Sequence, residues 1–598
     1  MDNESIAFPW RKEKSLTVQR LDIVIDGATV VDGSGKERYQ ADIGIKGDQI
    51  SAVGRLREAD AKRRVHAEGK ILCPGFIDVH SHADLSLHLP DQFQLLEPLV
   101  RQGITTVVGG NCGMALAPLA GKNDDAIMAF YRAFTGKDQS KLITWRSFEG
   151  YMDALEKRGL LLNAGLLAPH GILRLNEMGQ AKRLATEDEL EGMKVLLRDC
   201  LEAGALGLST GLQYFPGSQS DTEELVALAE LLKPGEAVFT SHLRSYSNTL
   251  DKAIEEVKRV VREAEVHGQI SHLFCVPHVN DRVDALVRRA ARMGSWIYRR
   301  IKFPFPLDFD MARVLRKLDK EIEEGLHLGI DVMPTAAGFT HLLAFFPPWV
   351  LEDDLASILA RIQDHGTRKR ILDDIENGQS VWPHTDDRTW SMNFLKLMGW
   401  DGVYIMSVVS EKNKALEGMN LKELSRLHKK HPFDVACDLL LEENGQVLVF
   451  ETFTRPGDDF LERSLYAAMR NPYVSIVTDT ILLGYGRPAH LFYDCYPKYL
   501  SKYARDLKLV SLEQGVRKCT SLPASQLGIQ KRGRVEEGCY ADLVLLDLDA
   551  LGTTSTFEKP DVFPTGIEMV LINGRPVLEE GTFSPEPVSG RLLRRQNQ

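Results

Sequence analysis

The stretch GFIDVHSHADL, residues 75–85, places two histidines, His80 and His82, directly after an apolar run. Two imidazoles one residue apart at the end of a buried strand can bind a metal ion, but they can also be polar residues that merely close the strand. The chain has 16 histidines, so the pair alone does not separate the two interpretations. The distinction depends on which other side chains the fold brings to the same place.

The middle of the chain alternates short apolar runs with segments of helical spacing. The strand-like runs are CPGFIDVH (73–80), GITTVVGG (103–110), EAVFTSH (236–242), HGQISHL (267–273), GLHLGIDVM (325–333) and PYVSIVTD (472–479). Strands that alternate with helices predict an α/β fold with a parallel sheet. Because the chain exceeds the roughly 250 residues of a bare eight-stranded barrel, we also expect insertions, at about 276–325 and 345–465.

The two ends of the chain share a different sequence pattern, in which short apolar runs are separated by turn-forming pairs such as DG, SG and KG. This pattern predicts antiparallel hairpins. One small β domain built from both termini is our interpretation, and two unrelated flanking hairpins are the alternative. The predicted divisions are an N-terminal extension at 1–20, the β domain at 21–70 and 533–598 (with the C-terminal tail), and the barrel at 71–532.

The 598 residues are 43% hydrophobic and carry a formal net charge of −11. Basic stretches at 288–292 and 298–302 are interpreted as solvated helix faces, so a nucleic-acid partner is not expected. Residues 336–351 are too short and too interrupted by proline for stable membrane insertion. Eight cysteines without a CxxC pair suit a reducing compartment, and the N-terminal segment lacks the apolar core of a signal peptide. We expect a cytoplasmic protein that binds a small molecule, and a homo-oligomer stays open.

Five predicted strands end in side chains that can bind a metal. These residues are His80 with His82, Cys112, His242, His272 and Asp479. Each has an ordinary explanation by itself, for example a buried free cysteine or a helix-capping aspartate. However, the carboxyl ends of barrel strands meet at one mouth, and imidazole, thiolate and carboxylate together suit zinc. The coincidence at five strand ends favours a metal site.

Longer motifs extend this pattern over nearly the whole chain. They include PGFIDVHSHADL, GITTVVGGNCG, GALGLSTGLQYFPG (204–217), TSHLRS (240–245), QISH (269–272), VSIVTD (474–479) and GCYADLVLLD (538–547). On these motifs the chain resembles the amidohydrolase superfamily and, within it, the N-acyl-D-amino-acid deacylase (D-aminoacylase) branch. The GNCG cysteine, in place of a carboxylated lysine, is specific to that branch. The resemblance implies a distorted TIM (β/α)8 barrel, a small β-sandwich domain and zinc-dependent hydrolysis of a small-molecule amide.

The resemblance also divides the metal ligands between two sites. His80, His82 and Asp479 match one site, and Cys112, His242 and His272 match a second, more tightly held zinc. One or two Zn²⁺ per subunit are therefore expected.

Catalytic roles follow from the same resemblance and from the chemistry of a water nucleophile. Asp479 would take the proton of the attacking water and later deliver it to the leaving amine. Tyr214 matches the family tyrosine and could donate to the tetrahedral oxyanion, or it could be a packing residue. Arg244 also matches, either as a substrate-binding residue or as one that orients a neighbouring loop.

The residues that hold the substrate carboxylate in this branch are not matched here. Phe274 stands at the lysine position, Met333 and Phe339 stand at the tyrosine and serine positions, and His490 stands at the arginine position with Arg487 nearby. A buried carboxylate needs paired donors, which phenylalanine and methionine do not supply.

We therefore predict hydrolysis of a fairly apolar N-acyl compound that lacks this carboxylate. One alternative is an ordinary N-acyl-D-amino-acid deacylase whose carboxylate is held by Arg487 or His490. Another is a non-catalytic scaffold, in which the ligand positions should have decayed. Segment 295–325 could form a lid over an apolar pocket, a subunit contact or a surface elaboration.

Overall fold

The computed structural model describes residues 20–595, apart from 126, 129–133, 135–140, 279, 303–305, 381–388, 391 and 587. The N-terminal extension predicted at 1–20 lies outside the described residues, except for Arg20. Strands and helices below are numbered along the chain within this described part.

The strands range from two to ten residues. They are β1 (Leu21–Val30), β2 (Tyr39–Lys46), β3 (Gln49–Gly54), β4 (Ala61–His66), β5 (Ile71–Pro74), β6 (Phe76–Asp78), β7 (Ile104–Gly109), β8 (Asn163–Leu166), β9 (Ala168–Pro169), β10 (Gly207–Gly211), β11 (Val238–His242), β12 (His267–Ile270), β13 (Leu328–Val332), β14 (Gly338–His341), β15 (Gln379–Ser380), β16 (Thr389–Trp390), β17 (Val403–Ser407), β18 (Leu448–Glu451), β19 (Val474–Ile476), β20 (Leu543–Leu546), β21 (Ile567–Ile572), β22 (Arg575–Glu579), β23 (Thr582–Phe583) and β24 (Leu592–Leu593).

The α-helices lie mostly between the parallel strands and in two long insertions. They are α1 (Asp84–Leu87), α2 (Gln92–Arg101), α3 (Phe148–Arg158), α4 (His170–Met178), α5 (Glu187–Glu202), α6 (Thr222–Ala229), α7 (Leu250–Ala264), α8 (Asp281–Ile301), α9 (Phe309–Glu323), α10 (Leu355–Gln363), α11 (His365–Asn377), α12 (Phe394–Met398), α13 (Leu421–His428), α14 (Pro432–Glu442), α15 (Asp459–Glu462), α16 (Tyr466–Arg470), α17 (Leu491–Lys498), α18 (Leu512–Cys519) and α19 (Ser521–Gln526).

The two ends of the chain meet in one nine-stranded sheet. Its order is β23-β22-β21-β20-β5-β1-β2-β3, and β4 also pairs with β1. Alternate residues such as Ile23 and Ile25 on β1 and Leu543 and Leu545 on β20 bury a core of their own, as the two-residue period of a strand requires. The pairings form a single continuous sheet. It includes β5, which the sequence had placed within the barrel segment.

The parallel strands form a second architecture in the middle of the chain. β6, β7 and β8 pair side by side, and a further sheet has the order β19-β13-β12-β11-β10-β9. Only Leu167 separates β8 from β9, and a parallel bridge joins Ser81 to Thr480, just beyond β6 and β19. The predicted α/β class is confirmed. The succession of parallel neighbours runs from β6 to β19, and the bridge from Ser81 to Thr480 brings it back to β6.

The C-terminal tail returns to these parallel strands rather than ending in the nine-stranded sheet. Leu592 and Leu593 of β24 pair in parallel with Ala164 and Gly165 of β8. The sequence had grouped the whole of 533–598 with the small β domain. The tail departs from that grouping because its two leucines pair with the edge of β8, among the parallel strands.

Two long elaborations interrupt the parallel strands. Helices α8 and α9 lie between β12 and β13, and the antiparallel sheet β14-β18-β17 lies with several helices between β13 and β19.

Local signals set the ends of many helices: Thr186 and Glu189 form a reciprocal capping box at the start of α5. None of the described helices combines the length and the apolar character needed to cross a membrane.

Candidate metal centre and cavity

The predicted metal ligands lie at the carboxyl ends of five parallel strands. They are His80 and His82 after β6, Cys112 after β7, His242 at the last position of β11, His272 after β12 and Asp479 after β19. All six are buried. Three of them have left-handed backbone, with φ of 54° at Cys112, 33° at His272 and 54° at Asp479. Non-glycine residues rarely adopt this conformation, and it is found repeatedly at functional sites.

Cys112 lies at the centre of one half of the cluster. Its Sγ is 3.3 Å from His80 Nε2 and 3.5 Å from both His242 Nδ1 and His272 Nε2. The two nitrogens of His242 and His272 are 3.0 Å apart. Sulfur and nitrogen donors from the ends of four separate strands therefore converge on one point.

Asp479 joins the other half of the cluster. Its Oδ1 is 3.3 Å from His82 Nε2 and 3.5 Å from His80 Nε2. His80 therefore lies between the two halves and contacts both Cys112 and Asp479. The candidate ligand atoms of each overlapping trio fall within 4.8 Å of one another, which is close enough to share a metal ion.

Outer hydrogen bonds leave the ligand nitrogens of His242 and His272 without protons. Tyr246 Oη accepts from Leu243 N at 3.0 Å and lies 3.1 Å from both the Ser271 carbonyl oxygen and His272 Nδ1. The hydroxyl has one proton, which the Ser271 carbonyl accepts, so His272 Nδ1–H must be the donor to Tyr246. His242 Nε2 likewise donates to Gln213 Oε1, 3.2 Å away. The opposite ring nitrogens then present lone pairs to the cluster, as metal ligands do.

Burial also favours the neutral imidazoles that a metal requires. It lowers the pKa of His80 and of His242 well below the usual value. At His82 burial again disfavours the charged ring, but the hydrogen-bonded carboxylate of Asp479 outweighs it and raises the pKa. Burial raises the pKa of the Cys112 thiol, so a nearby positive charge is needed to hold it as a thiolate. This donor set fits zinc.

Asp331 and Tyr246 complete the centre, and the sequence analysis missed both. Asp331, on β13, accepts from the His272 backbone N–H at 2.5 Å and from Gln269 Nε2 at 2.7 Å, and burial raises its pKa to about 7. A carboxylate inside the apolar run LGIDV was a usable signal for Asp331. No sequence pattern distinguishes Tyr246, whose role depends on how the chain turns after β11.

A cavity of about 670 Å³ opens above the cluster. His82, Cys112, His242, His272 and Asp479 form its floor, and the predicted catalytic tyrosine and three predicted substrate-binding residues line its wall. Those four are Tyr214, Phe274, Met333 and Phe339. The Tyr214 ring lies beside His242, with 4.6 Å between ring centroids. Burial raises the pKa of Tyr214 well above its usual value, so its hydroxyl keeps its proton.

Arg244 does not line the cavity. Its Nε lies 2.9 Å from Glu256 Oε2, and its terminal nitrogens donate to the carbonyl oxygens of Ser218 and Ser220. Arg244 and Glu256 are both buried. Arg244, in the loop after β11, therefore ties this loop to helix α7 and to the segment before α6, which fits the orienting role that is the alternative predicted from the sequence.

Arg487 and His490 also lie outside the cavity lining. Arg487 Nη1 donates to the Phe557 carbonyl oxygen at 3.0 Å, and its guanidinium lies 5.5 Å from the Phe557 ring centroid. His490 Nδ1 is 3.2 Å from Asp494 Oδ1, at the start of α17. Their predicted contact with substrate rested on ungapped spacing, which does not fix the direction of a side chain. Among the described residues that line the cavity there is no lysine or arginine.

Comparisons with known proteins agree with this geometry. Residues 63–233 and 474–578 match the model of the amidohydrolase family. The D-aminoacylase of Alcaligenes xylosoxydans xylosoxydans is 29% identical over 578 residues, covering 96% of this chain and 98% of the relative. A crystal structure of D-aminoacylase superposes with a TM-score of 0.71 at 27% identity, covering 96% of this chain and all of the other.

A second solved structure is the N-acyl-D-glutamate deacylase of Bordetella bronchiseptica, complexed with zinc and a phosphonate inhibitor. It has a TM-score of 0.72 and 26% identity, and again covers 96% of this chain and 100% of its own. The family match and the similar deacylases indicate a metal-dependent amidohydrolase, an enzyme that acts on carbon–nitrogen bonds other than peptide bonds. Along nearly its whole length the chain is similar to the D-aminoacylases.

Proposed function

We propose that the protein is a zinc-dependent hydrolase that cleaves the amide bond of a small, largely apolar N-acyl compound. One observation carries the proposal: unprotonated nitrogen ligands, a thiol and a carboxylate converge on the floor of a cavity whose wall is mostly apolar. Cys112, His242 and His272 would hold the tighter ion, and His80, His82 and Asp479 would contribute to a second. One ion or two is compatible with this arrangement.

The residues around the floor suit amide hydrolysis. A zinc ion held here would act as a Lewis acid and lower the pKa of a water molecule. Asp479 lines the cavity and can take a proton from the attacking water and return it to the leaving amine. Tyr214, which stays protonated, can donate a hydrogen bond to the oxygen that becomes negative in the transition state.

The wall of the cavity supports an uncharged acyl or amine group near the reacting bond. By the resemblance drawn from the sequence, Phe274, Met333 and Phe339 would stand where the deacylases bind a carboxylate, and all three line the cavity. A carboxylate moved from water to such a wall without donors would lose several kcal/mol. The alternative, an ordinary N-acyl-D-amino-acid deacylase, would need a donor that Arg487 and His490 do not supply from their present positions.

The test is hydrolysis of matched substrate pairs by zinc-loaded protein. Each pair is an N-acyl-D-amino acid and its neutral carboxamide, offered with short, long and aromatic acyl groups. We expect kcat/KM to favour the neutral member by about tenfold or more. The free acid must lose the water around its carboxylate to enter the cavity, and the free-energy cost of that desolvation weakens its binding by a large factor. If the free acids are consistently better, the carboxylate is still recognised and the alternative is correct.

A second experiment separates an enzyme from a binding protein. Asp479→Asn should lower kcat by about 10²–10⁴-fold, the usual contribution of a general acid–base, while the protein keeps its fold. Asp310→Asn is the matched control, since Asp310 also lines the cavity but is not part of the ligand cluster. Equal activity of the Asp479→Asn variant and the wild type would contradict the proposed role.

A further inference from the structure

Helix α8 exposes an apolar stripe along its whole length. Leu286 is 64% exposed, Met293 61%, Ile297 38% and Ile301 67%, and Ala290 is exposed between them. Their spacing of three or four residues puts all five on one face of the helix. Large exposed apolar patches mark interaction sites in a folded protein.

The stripe forms the rim of the cavity above the metal centre. Ala290, Met293, Ile297 and Ile301 line that cavity as well as the surface. The opposite face of α8 is anchored, because Ser295 is buried and donates to Asp458 Oδ2 at 2.5 Å. The stripe is therefore held facing outward, and it joins the apolar wall of the cavity to the exposed surface of the protein.

The same segment is basic although the protein as a whole is acidic. Residues 281–302 contain six arginines and one lysine against two aspartates, a net charge of +5 in a chain of net charge −11. From the sequence, these charges are expected to form a simple solvated face. In the structure, exposed Arg289, Arg299 and Arg300 instead accompany exposed apolar side chains, and the Arg300 guanidinium lies 3.7 Å from the ring centroid of Trp296, which is 52% exposed.

We propose that α8, together with Phe309 at the start of α9, docks the protein on an anionic lipid surface and turns the cavity mouth toward the apolar layer. Phe309 is 68% exposed, and the residues that follow it, Asp310 and Met311, line the same cavity as α8. A helix with a strong apolar face, basic residues and an exposed tryptophan lies in a membrane interface rather than across it. The inference goes beyond the proposed reaction and does not depend on which amide is cleaved.

The test is co-sedimentation of the full chain with phosphatidylcholine vesicles, pure or mixed with phosphatidylglycerol. We expect binding to the mixed vesicles, weakened by salt, and at least tenfold weaker binding to the neutral ones. Arg289→Gln with Arg299→Gln should lower affinity for the mixed vesicles by about twentyfold or more, because a basic residue near such a surface is worth about fivefold.

The apolar part of the inference is tested by Leu286→Glu with Phe309→Glu, which should abolish sedimentation. Neither residue lines the cavity, so hydrolysis of a short-chain substrate free in solution should be unchanged. The matched control is Leu184→Glu with Leu427→Glu, two leucines that are 54% and 60% exposed elsewhere, and it should bind like the wild type.

Three results would overturn the inference: no sedimentation of the wild type with either vesicle, equal loss in the leucine control, or a wild-type dimer that Leu286→Glu with Phe309→Glu dissociates. The last would assign the stripe to a second copy of the chain. Vesicle binding is measured without substrate, so a failure of the proposed hydrolysis remains distinguishable from a failure of docking.

Discussion

The hydroxyl of Tyr246 fixes which nitrogen of His272 carries a proton. It accepts from His272 Nδ1, which leaves Nε2 free to face Cys112 Sγ at 3.5 Å. We expect Tyr246→Phe to lower zinc affinity by about 10–100-fold, the usual effect of losing an outer partner of a metal ligand. Competition with a chromophoric chelator measures this affinity directly.

A buried tyrosine far from the cluster provides the control for Tyr246→Phe. Tyr499 Oη donates to the Met469 carbonyl oxygen at 3.0 Å, and Tyr499→Phe removes a comparable buried hydrogen bond. Its stability should fall by a similar amount, about 1 kcal/mol, with zinc affinity unchanged. If both variants bind zinc alike, Tyr246 does not act through His272.

Glu451 gives the cavity a pH-dependent charge. It lies in the cavity wall, and burial raises its pKa to about 8. The carboxyl is therefore neutral below that pH and becomes negative as the pH rises through 8, which disfavours an apolar group beside it. We expect KM for a neutral substrate to rise above about pH 8 and Glu451→Gln to remove that rise.

Glu417→Gln is the corresponding control, since burial also raises the pKa of Glu417 but this residue lies outside the cavity lining. Its pH profile of KM should match that of the wild type. A wild-type KM that stays level from pH 7 to about 9 would contradict the role given to Glu451.

At the scale of single elements, the loop after β11 is tied to helix α7 by the buried pair Arg244–Glu256. Arg244→Met should destabilise the protein by about 3–5 kcal/mol, because it leaves the Glu256 charge buried without its partner. Since His242 is only two residues away, zinc affinity should fall as well. The thermal midpoint of unfolding and the bound zinc measure these two effects.

The exposed pair Lys233–Glu265 serves as the comparison, with side chains 56% and 68% exposed. Lys233→Met should cost about 0–1 kcal/mol, as is usual for surface ion pairs, and leave zinc binding alone. A midpoint for Arg244→Met as high as that for Lys233→Met would show that the buried pair does not hold the loop.

For the whole molecule, a metal ion bound at the candidate centre would connect segments that are distant in the chain. The six candidate ligands, from His80 to Asp479, come from five strands, so a bound ion would favour only the folded arrangement. A ligand present at a thousand times its Kd stabilises the fold by about 4 kcal/mol. We expect dialysis against a strong chelator to lower the thermal midpoint by several degrees, and added zinc to restore it.

Cys112→Ser should greatly reduce this dependence on zinc, because serine is a poor ligand for that ion. Cys539→Ser, a partly buried cysteine next to the core of the nine-stranded sheet, should behave like the wild type. A midpoint that does not respond to chelation in any of the proteins would contradict a structural contribution from the metal.

The sequence predicted the α/β class, which the structure confirms, and it placed the candidate metal ligands at strand ends, because apolar runs that end in His, Cys or Asp are local patterns and parallel strands end at a common edge. Phe274, Met333 and Phe339 were also predicted to lie near the substrate, and they line the cavity. These features depend on residue type and on position along a strand, and both can be read from the sequence.

The directions of the longer polar side chains depend on long-range contacts in the folded protein. Arg244, Arg487 and His490 turn away from the cavity to nearer partners, whereas Tyr246 and Asp331 turn toward the metal ligands. Long-range contacts likewise determine three other features: the pairing of β5 with β20, the pairing of β24 with β8, and the outward face of α8. A hydrogen bond between residues far apart in sequence leaves no periodic signal, because its geometry exists only once the strands and loops are assembled.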